Sequence, residues 1–326
     1  MRKVVCVQLG PPEGLVVEDV PDVDPGPGQV VVAVRAAGVN FVDALFVSGE
    51  YQIKPPVPFT PGSEIAGEVI AVAPDVDLLA PGDAVFATTW LGGYSEHVAL
   101  DAGRAVLLPP SIDFGRAATF SQSYCTAVFA LRERAHLTEG DRLLVLGAGG
   151  GVGLAAIDVG KALGAEVIAA ASSEAKLAAA TAAGADSTID YTDEPLKERA
   201  RELTDGKGVD VVFDPVGGDL AVPALRALGN FGRYVVIGFA SGAIPKLPLN
   251  QVLLRNRSVL GVDWGAWSMQ HPGANDGLIS EIVSMIGAGV LNPAKPVAYP
   301  MDQAGKVLRD LIERRAVGKV VLDPGL

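Results

Sequence analysis

Apolar positions in this chain follow two different rhythms. Over the first 120 residues they gather in short β-branched runs, at 30–35, 64–72, 84–87 and 94–100, set off by breaks such as Pro81-Gly82-Asp83 and Gly92-Gly93. Short strands between Gly/Pro turns predict a small, irregular β-barrel. Past residue 122 the pattern changes. A helix is predicted over 124–133, then strands at 143–146, 167–171, 189–191, 209–213, 234–238 and 258–262, with helices at 152–163, 174–183, 195–204 and 220–228 between them. These strands are mostly apolar, as strands buried on both faces should be. The alternation predicts an α/β, doubly wound parallel sheet. A further helix is predicted over 278–286, and the tail ends in the strand-like Gly318-Lys319-Val320-Val321-Leu322. We read the tail as returning to the first domain. The barrel domain then comprises 1–122 and 267–326, with the parallel-sheet domain, 123–266, inserted into it.

The strand at 143–146 runs into Gly147-Ala148-Gly149-Gly150-Gly151-Val152-Gly153, which opens a helix. A helix start offers unpaired N–H groups and a positive dipole end, and glycines let a pyrophosphate reach them. Placed between a buried strand and a helix, the string is a dinucleotide fingerprint, although Ala148 takes the first glycine position of G-x-G-x-x-G. The next strand ends without the Asp or Glu that would bind a ribose 2′-hydroxyl. It offers Ser172, Ser173 and Lys176, with Tyr191 closing the third strand. Hydroxyls and an ammonium suit a 2′-phosphate, so NADPH is the expected cofactor. In the competing reading Ser173 only caps a helix and Lys176 sits on a solvated face.

Net charge narrows the partners. At −12 the chain repels phosphate backbones and anionic lipid, which disfavours nucleic-acid and membrane binding. The most apolar long stretch, 143–172, carries Asp158, Lys161 and Glu166 and cannot span a bilayer. The opening apolar run is broken by Gly10-Pro11-Pro12, too early for a signal-peptide core. Cys6 and Cys125 are too few for a disulfide framework, and a cytoplasmic location is expected.

Several strings, in order, resemble the zinc-free quinone oxidoreductase (zeta-crystallin-like) branch of the medium-chain dehydrogenase/reductase superfamily. They are Ala36-Ala37-Gly38-Val39-Asn40-Phe41-Val42-Asp43, Ser48-Gly49-Glu50-Tyr51, Pro61-Gly62-Ser63-Glu64-Ile65-Ala66-Gly67 and Gly92-Gly93-Tyr94-Ser95-Glu96. The glycine turn, the Ser173–Lys176 pair with Tyr191, Gly238-Phe239-Ala240-Ser241-Gly242 and Gly318-Lys319-Val320-Val321-Leu322 complete the set. The resemblance implies a GroES-like catalytic domain, an inserted Rossmann domain, NADPH as hydride donor, and a homodimer or homotetramer with the strand near 258–262 at its interface. It also implies pyrophosphate contacts from Gly149, Gly150, Gly151, Val152 and Gly153, and 2′-phosphate contacts from Ser173, Lys176 and Tyr191. Asn40, Tyr51 and Thr126 would lie near the nicotinamide, bordered by Gly238, Phe239 and Ala240. Zinc-dependent relatives carry a Gly-His-Glu string where this chain has Gly62-Ser63-Glu64, and His97, His136 and His271 are scattered, so no metal is expected.

Hydride transfer to a quinone or a conjugated carbonyl leaves negative charge on oxygen. Asn40 is a candidate donor to that oxygen or to the cofactor carboxamide, and Tyr51 a candidate proton donor in competition with water. Asp43 either holds Asn40 in place or caps a local helix starting near residue 42. Trp264, Trp267 and Phe239 are read as lining an apolar substrate slot or as ordinary core, and Cys125 as a reactive thiol or a small buried hydrophobe. Two other functions fit the same residues: an enoyl-thioester or enone reductase, and a non-catalytic, crystallin-like NADPH-binding protein. The acidic charge argues against coenzyme A and RNA as ligands, while Asn40 and Tyr51 favour chemistry.

Overall fold

Two sheets carry the fold, a seven-stranded one built from both ends of the chain and a six-stranded parallel one built from its middle. They are seen in a computed structural model describing residues 1–326. They belong to two units, Met1–Gln122 with Ala294–Leu326, and Ser123–Pro293.

The first unit begins with β1 (Arg2–Val5), β2 (Val16–Asp19), β3 (Gln29–Val39), α1 (Phe41–Ser48), β4 (Glu64–Val72), β5 (Ala84–Thr88), β6 (His97–Asp101) and β7 (Ala105–Leu107). Helix α2 (Phe114–Val128) leads out of it and continues as a π-helix over Phe129–Arg134. The second unit holds β8 (Arg142–Leu146), α3 (Gly151–Ala162), β9 (Glu166–Ala171), α4 (Glu174–Ala182), β10 (Ser187–Asp190), α5 (Leu196–Glu202) and β11 (Val209–Asp214). It continues with α6 (Ala221–Ala227), β12 (Leu228–Val236), α7 (Leu249–Leu253), β13 (Ser258–Gly261), α8 (Trp264–Gln270) and α9 (Pro272–Gly287). The chain then returns through β14 (Val297–Pro300), α10 (Ala304–Ile312) and β15 (Val320–Asp323) to the first sheet. No helix is long and apolar enough to cross a membrane.

β3 is the spine of the first unit. It pairs along its length with β4, while its other edge serves β6 at residues 29–33 and β15 at residues 37–39. Register shifts at Val31/Val32 and Val34/Ala36 bend the strand, which is how one edge meets two neighbours. Val30, Val31 and Val32 are all fully buried, so the run shows no alternation. A β-carbon on Gly38 would lie 1.9 Å from the Ala118 carbonyl oxygen, so α2 approaches β3 backbone to backbone.

The second unit orders its strands β10-β9-β8-β11-β12-β13, every neighbouring pair parallel. Counted within the unit this is 3-2-1-4-5-6, the Rossmann order, in which the order of strands along the sheet reverses between β8 and β11. The doubly wound expectation holds.

The boundary of the inserted segment differs from the expected 266 and falls at Pro293. Helices α8 and α9 are tied to the second unit by particular contacts. The Trp264 indole N–H donates to Asn275 Oδ1 at 3.0 Å, and the Trp267 ring lies 4.8 Å from that of Phe129. Arg132 bonds Glu281 at 2.6 Å, and the Asn292 N–H donates to Asp158 at 2.7 Å. Periodicity predicts a helix near 278–286 but says nothing of which sheet it packs on.

Candidate active site

In the second unit, the candidate residues gather at the C-terminal ends of the strands. β8 ends at Leu146, and Gly147 turns the chain at φ +59°, a conformation glycine adopts without strain. Gly150 is the N-cap of α3, with no side chain bonded to the helix start. The N–H groups of Gly151, Val152 and Gly153 therefore remain for a ligand, at the positive end of the helix dipole. A β-carbon on Gly153 would lie 2.4 Å from the Gly147 carbonyl oxygen, and one on Gly149 would lie 2.4 Å from Lys176 Cβ. The first glycine brings helix against turn, and the second admits α4. This bare cradle fits a pyrophosphate.

Ser173 stands at the N-cap of α4, yet its side chain makes no capping bond, so capping does not account for the hydroxyl. Lys176 Nζ donates to Ser172 Oγ at 3.2 Å. The Tyr191 N–H donates to the Ala171 carbonyl at 3.2 Å, which sets the ends of β9 and β10 side by side. Ser172, Ser173, Lys176 and Tyr191 are thus brought to one edge.

The loop of Gly238, Phe239 and Ala240 is laced to the loop after β11. Ala240 N–H donates to Pro215 O at 3.0 Å and Ser241 N–H to Val216 O at 2.9 Å. Asp214 shapes that second loop, with Oδ1 accepting the N–H groups of Val216 at 2.8 Å and Gly217 at 2.9 Å. The buried Tyr234 hydroxyl donates to its other oxygen, and burial together with the Asp214 charge raises the phenol pKa. Thr126 lies half-buried on α2. Trp264 and Trp267, engaged with Asn275 and Phe129, serve packing. Cys125 is fully buried, the setting of a small hydrophobe rather than of a reactive thiol.

In the first unit, Asn40 sits between β3 and α1 as the helix N-cap. The Asp43 carboxylate accepts the Asn40 N–H at 2.8 Å and the Tyr94 hydroxyl at 3.1 Å. Asp43 therefore fills both anticipated roles, closing the helix start and fixing Asn40. Its side chain is wholly buried, and the loss of water pushes its pKa up to about 6, against the lowering effect of the Asn40 N–H and the Ser63 and Tyr94 hydroxyls.

The Asn40 side chain is held at both ends. Its Nδ2 donates to Glu64 Oε2 at 2.8 Å and reaches Ser63 Oγ only at 3.4 Å, while its Oδ1 accepts from Lys319 Nζ at 2.6 Å. Glu64 is fully buried, and its Oε1 accepts the Gln122 N–H at 2.6 Å. Tyr51 follows α1, its ring edge-on to Phe46 at 4.8 Å, half-buried against the core. No group of three His, Cys, Asp or Glu side chains is placed to hold a metal ion. Sequence reasoning gave Lys319 and Glu64 no role. The available signal was a lysine just before the apolar run 320–322 and an acid at the first position of β4, a strand that also carries Glu68.

Comparison with known proteins agrees with this anatomy. Residues 26–110 match the model of the alcohol dehydrogenase GroES-like domain, and residues 151–278 that of the zinc-binding dehydrogenase family. A quinone oxidoreductase-like protein 2 homolog from Nematostella vectensis is 38% identical over 99% of this chain and 88% of its own. The quinone oxidoreductase of Pseudomonas aeruginosa is 36% identical, with 99% of both chains covered. The crystal structure of Escherichia coli quinone oxidoreductase complexed with NADPH superposes with a TM-score of 0.90 at 31% identity, covering 99% of this chain and 100% of that one. The chain belongs to the quinone oxidoreductase branch of the medium-chain dehydrogenase/reductase superfamily. Its two parts are the GroES-like and Rossmann domains of that superfamily.

Proposed function

We propose that this protein is an NADPH-dependent oxidoreductase that passes hydride to a quinone or a related conjugated carbonyl without a metal. The observation that carries the reading is the end of β9. There Lys176 and two serines, rather than a carboxylate, stand beside the glycine turn. The NADPH complex of the Escherichia coli relative supports the same cofactor. When bound, NADPH supplies the hydride.

The chain's own residues do the rest. Gly149, Gly150, Gly151, Val152 and Gly153 take the pyrophosphate, and Ser173, Lys176 and Tyr191 take the 2′-phosphate. Gly238, Phe239 and Ala240, together with Thr126, border the nicotinamide. Asn40 donates its amide to the acceptor oxygen, and Tyr51 delivers the proton. The donors around Asn40 are an amide, a hydroxyl, a carboxylate and an ammonium, a set unsuited to zinc.

We place the protein in the cytoplasm, as a homo-oligomer. β13 is an edge strand, and beside it Leu253, Leu254 and Phe231 are about three-quarters exposed, surface that a second copy would cover.

The deciding experiment is NADPH and NADH oxidation with 1,4-benzoquinone, 9,10-phenanthrenequinone, crotonyl-CoA and a medium-chain enone. Quinone turnover with preference for NADPH is expected. Preference for the thioester would make the protein an enoyl reductase, and turnover of none would leave it a nucleotide-binding protein.

A further inference from the structure

The strand-like tail Gly318-Lys319-Val320-Val321-Leu322 has no part in the function proposed above, yet its lysine lies inside the candidate site. β15 pairs with β3 so that Val320 faces Val39 and Val321 faces Gly38. One more step along that ladder sets Lys319 against Asn40. On the other edge of β3, Gly38 faces Glu64 of β4. Three neighbouring strands thus deliver an ammonium, an amide and a carboxylate to one end of the sheet.

The side chain of Lys319 is 12% exposed and that of Glu64 1%. Buried charges persist when they are paired and hydrogen-bonded. A purely structural ion pair would draw ammonium and carboxylate together. Here they stand 3.7 Å apart, and the short bond of the ammonium, 2.6 Å, goes to the neutral Asn40 amide. An ammonium only donates and a carboxylate only accepts, so Lys319 at Oδ1 and Glu64 at Nδ2 leave the amide one orientation. A cation on the amide oxygen draws electron density from the nitrogen and strengthens both of its N–H groups as donors. Glu64 takes one of them. The other has only the 3.4 Å contact to Ser63 within the protein.

We propose that Lys319 is a positioning residue for the reductase reaction, locking and polarising the Asn40 amide so that its second N–H is a fixed, strengthened donor to the acceptor oxygen as hydride arrives. The proposal rests on the reading of Asn40 as that donor. No proton leaves Lys319. Its charge acts through the amide, and the acceptor's proton still comes from Tyr51.

The test is a double-mutant cycle of Lys319→Met and Asn40→Ala, with Lys319→Gln as a neutral variant that can still donate to the amide. Each folded variant is measured for NADPH Kd and for kcat with a quinone. Lys319→Met should lower kcat by roughly ten- to a hundredfold, the range for a weakened oxyanion donor, with NADPH Kd within about threefold of the parent. Lys319→Gln should fall between the two. In the Asn40→Ala background, Lys319→Met should cost nothing further. If the two losses multiply, or if Lys319→Met keeps full kcat while Asn40→Ala loses it, the positioning role is wrong and the donor role of Asn40 stands. Full activity of Asn40→Ala would remove both.

Discussion

Gly149 rests against Lys176, so closely that a β-carbon on the glycine would sit 2.4 Å from that of the lysine. The pyrophosphate turn and the proposed 2′-phosphate ligand are therefore one packed unit. Lys176→Ala should weaken NADPH binding roughly tenfold or more, the worth of a hydrogen bond to a charged group, while leaving NADH within about twofold. Gly149→Ala should weaken both nucleotides by displacing the lysine stem and the turn together. Fluorescence titration with each nucleotide separates the two patterns. Equal losses for NADPH and NADH in Lys176→Ala would dismiss the phosphate pocket.

Asp43 should leave a mark on the pH dependence of stability. Its folded pKa is raised to about 6 from 3.8, with burial the main cause. Between those values the folded state holds a proton that the unfolded chain releases. The contribution of this group is therefore most favourable below about pH 4 and declines as pH rises through 6. Roughly 3 kcal/mol is at stake for a shift of about two units. Asp43→Asn, whose amide oxygen can still accept the Asn40 N–H, should lack this decline. Measured by denaturant unfolding, its advantage over the parent should grow by roughly 3 kcal/mol between pH 4 and pH 7. A constant difference across that range would show that the Asp43 carboxyl titrates alike in both states.

Gly38 and Gly103 make a matched pair for testing the approach of α2 to β3. A β-carbon at Gly38 would meet the Ala118 carbonyl at 1.9 Å, whereas one at Gly103 meets nothing within 4 Å. Backbone cannot swing aside as a side chain can. Gly38→Ala should cost about 3 kcal/mol or more, seen as a lowered Tm, and Gly103→Ala should cost under about 1 kcal/mol. Similar melting of the two variants would contradict the packing.

Light scattering can decide the oligomeric state. The edge strand β13 exposes Val259, and Leu253 is 77% exposed just before it. Val259→Lys combined with Leu253→Glu should convert an oligomer to monomer while leaving NADPH binding within about twofold, since neither residue approaches the glycine turn. A monomeric parent at micromolar concentration would rule out the edge as an interface.

The second unit was legible because its signals are local. Strands such as 143–146 and 167–171 are buried on both faces and read as apolar runs, and the glycine turn is contiguous from 147 to 153. The site in the first unit was legible only in part. Asn40, Glu64 and Lys319 lie far apart along the chain and meet through the registers of β3 with β4 and with β15, which no local pattern encodes. β2 carries no strand signal of its own, because all four of its residues are exposed and show no alternation. A helix pattern at 278–286 does not name its partner sheet, so the sequence alone does not show that the second compact unit runs to Pro293.

β15, which carries Lys319 at its threshold, is the last strand of the chain, and its partner β3 is one of the first. During synthesis, every strand of the Rossmann sheet leaves the ribosome before β15 does. That sheet can fold on its own schedule, while residues 37–39 of β3 wait with one edge bare. On the roles proposed above, the nascent chain thus carries its nucleotide-binding residues before the cation that would polarise Asn40. On those same roles, a product cut short ahead of residue 319 would keep the glycine turn and lack the polarised amide, a built-in delay between cofactor capture and full competence.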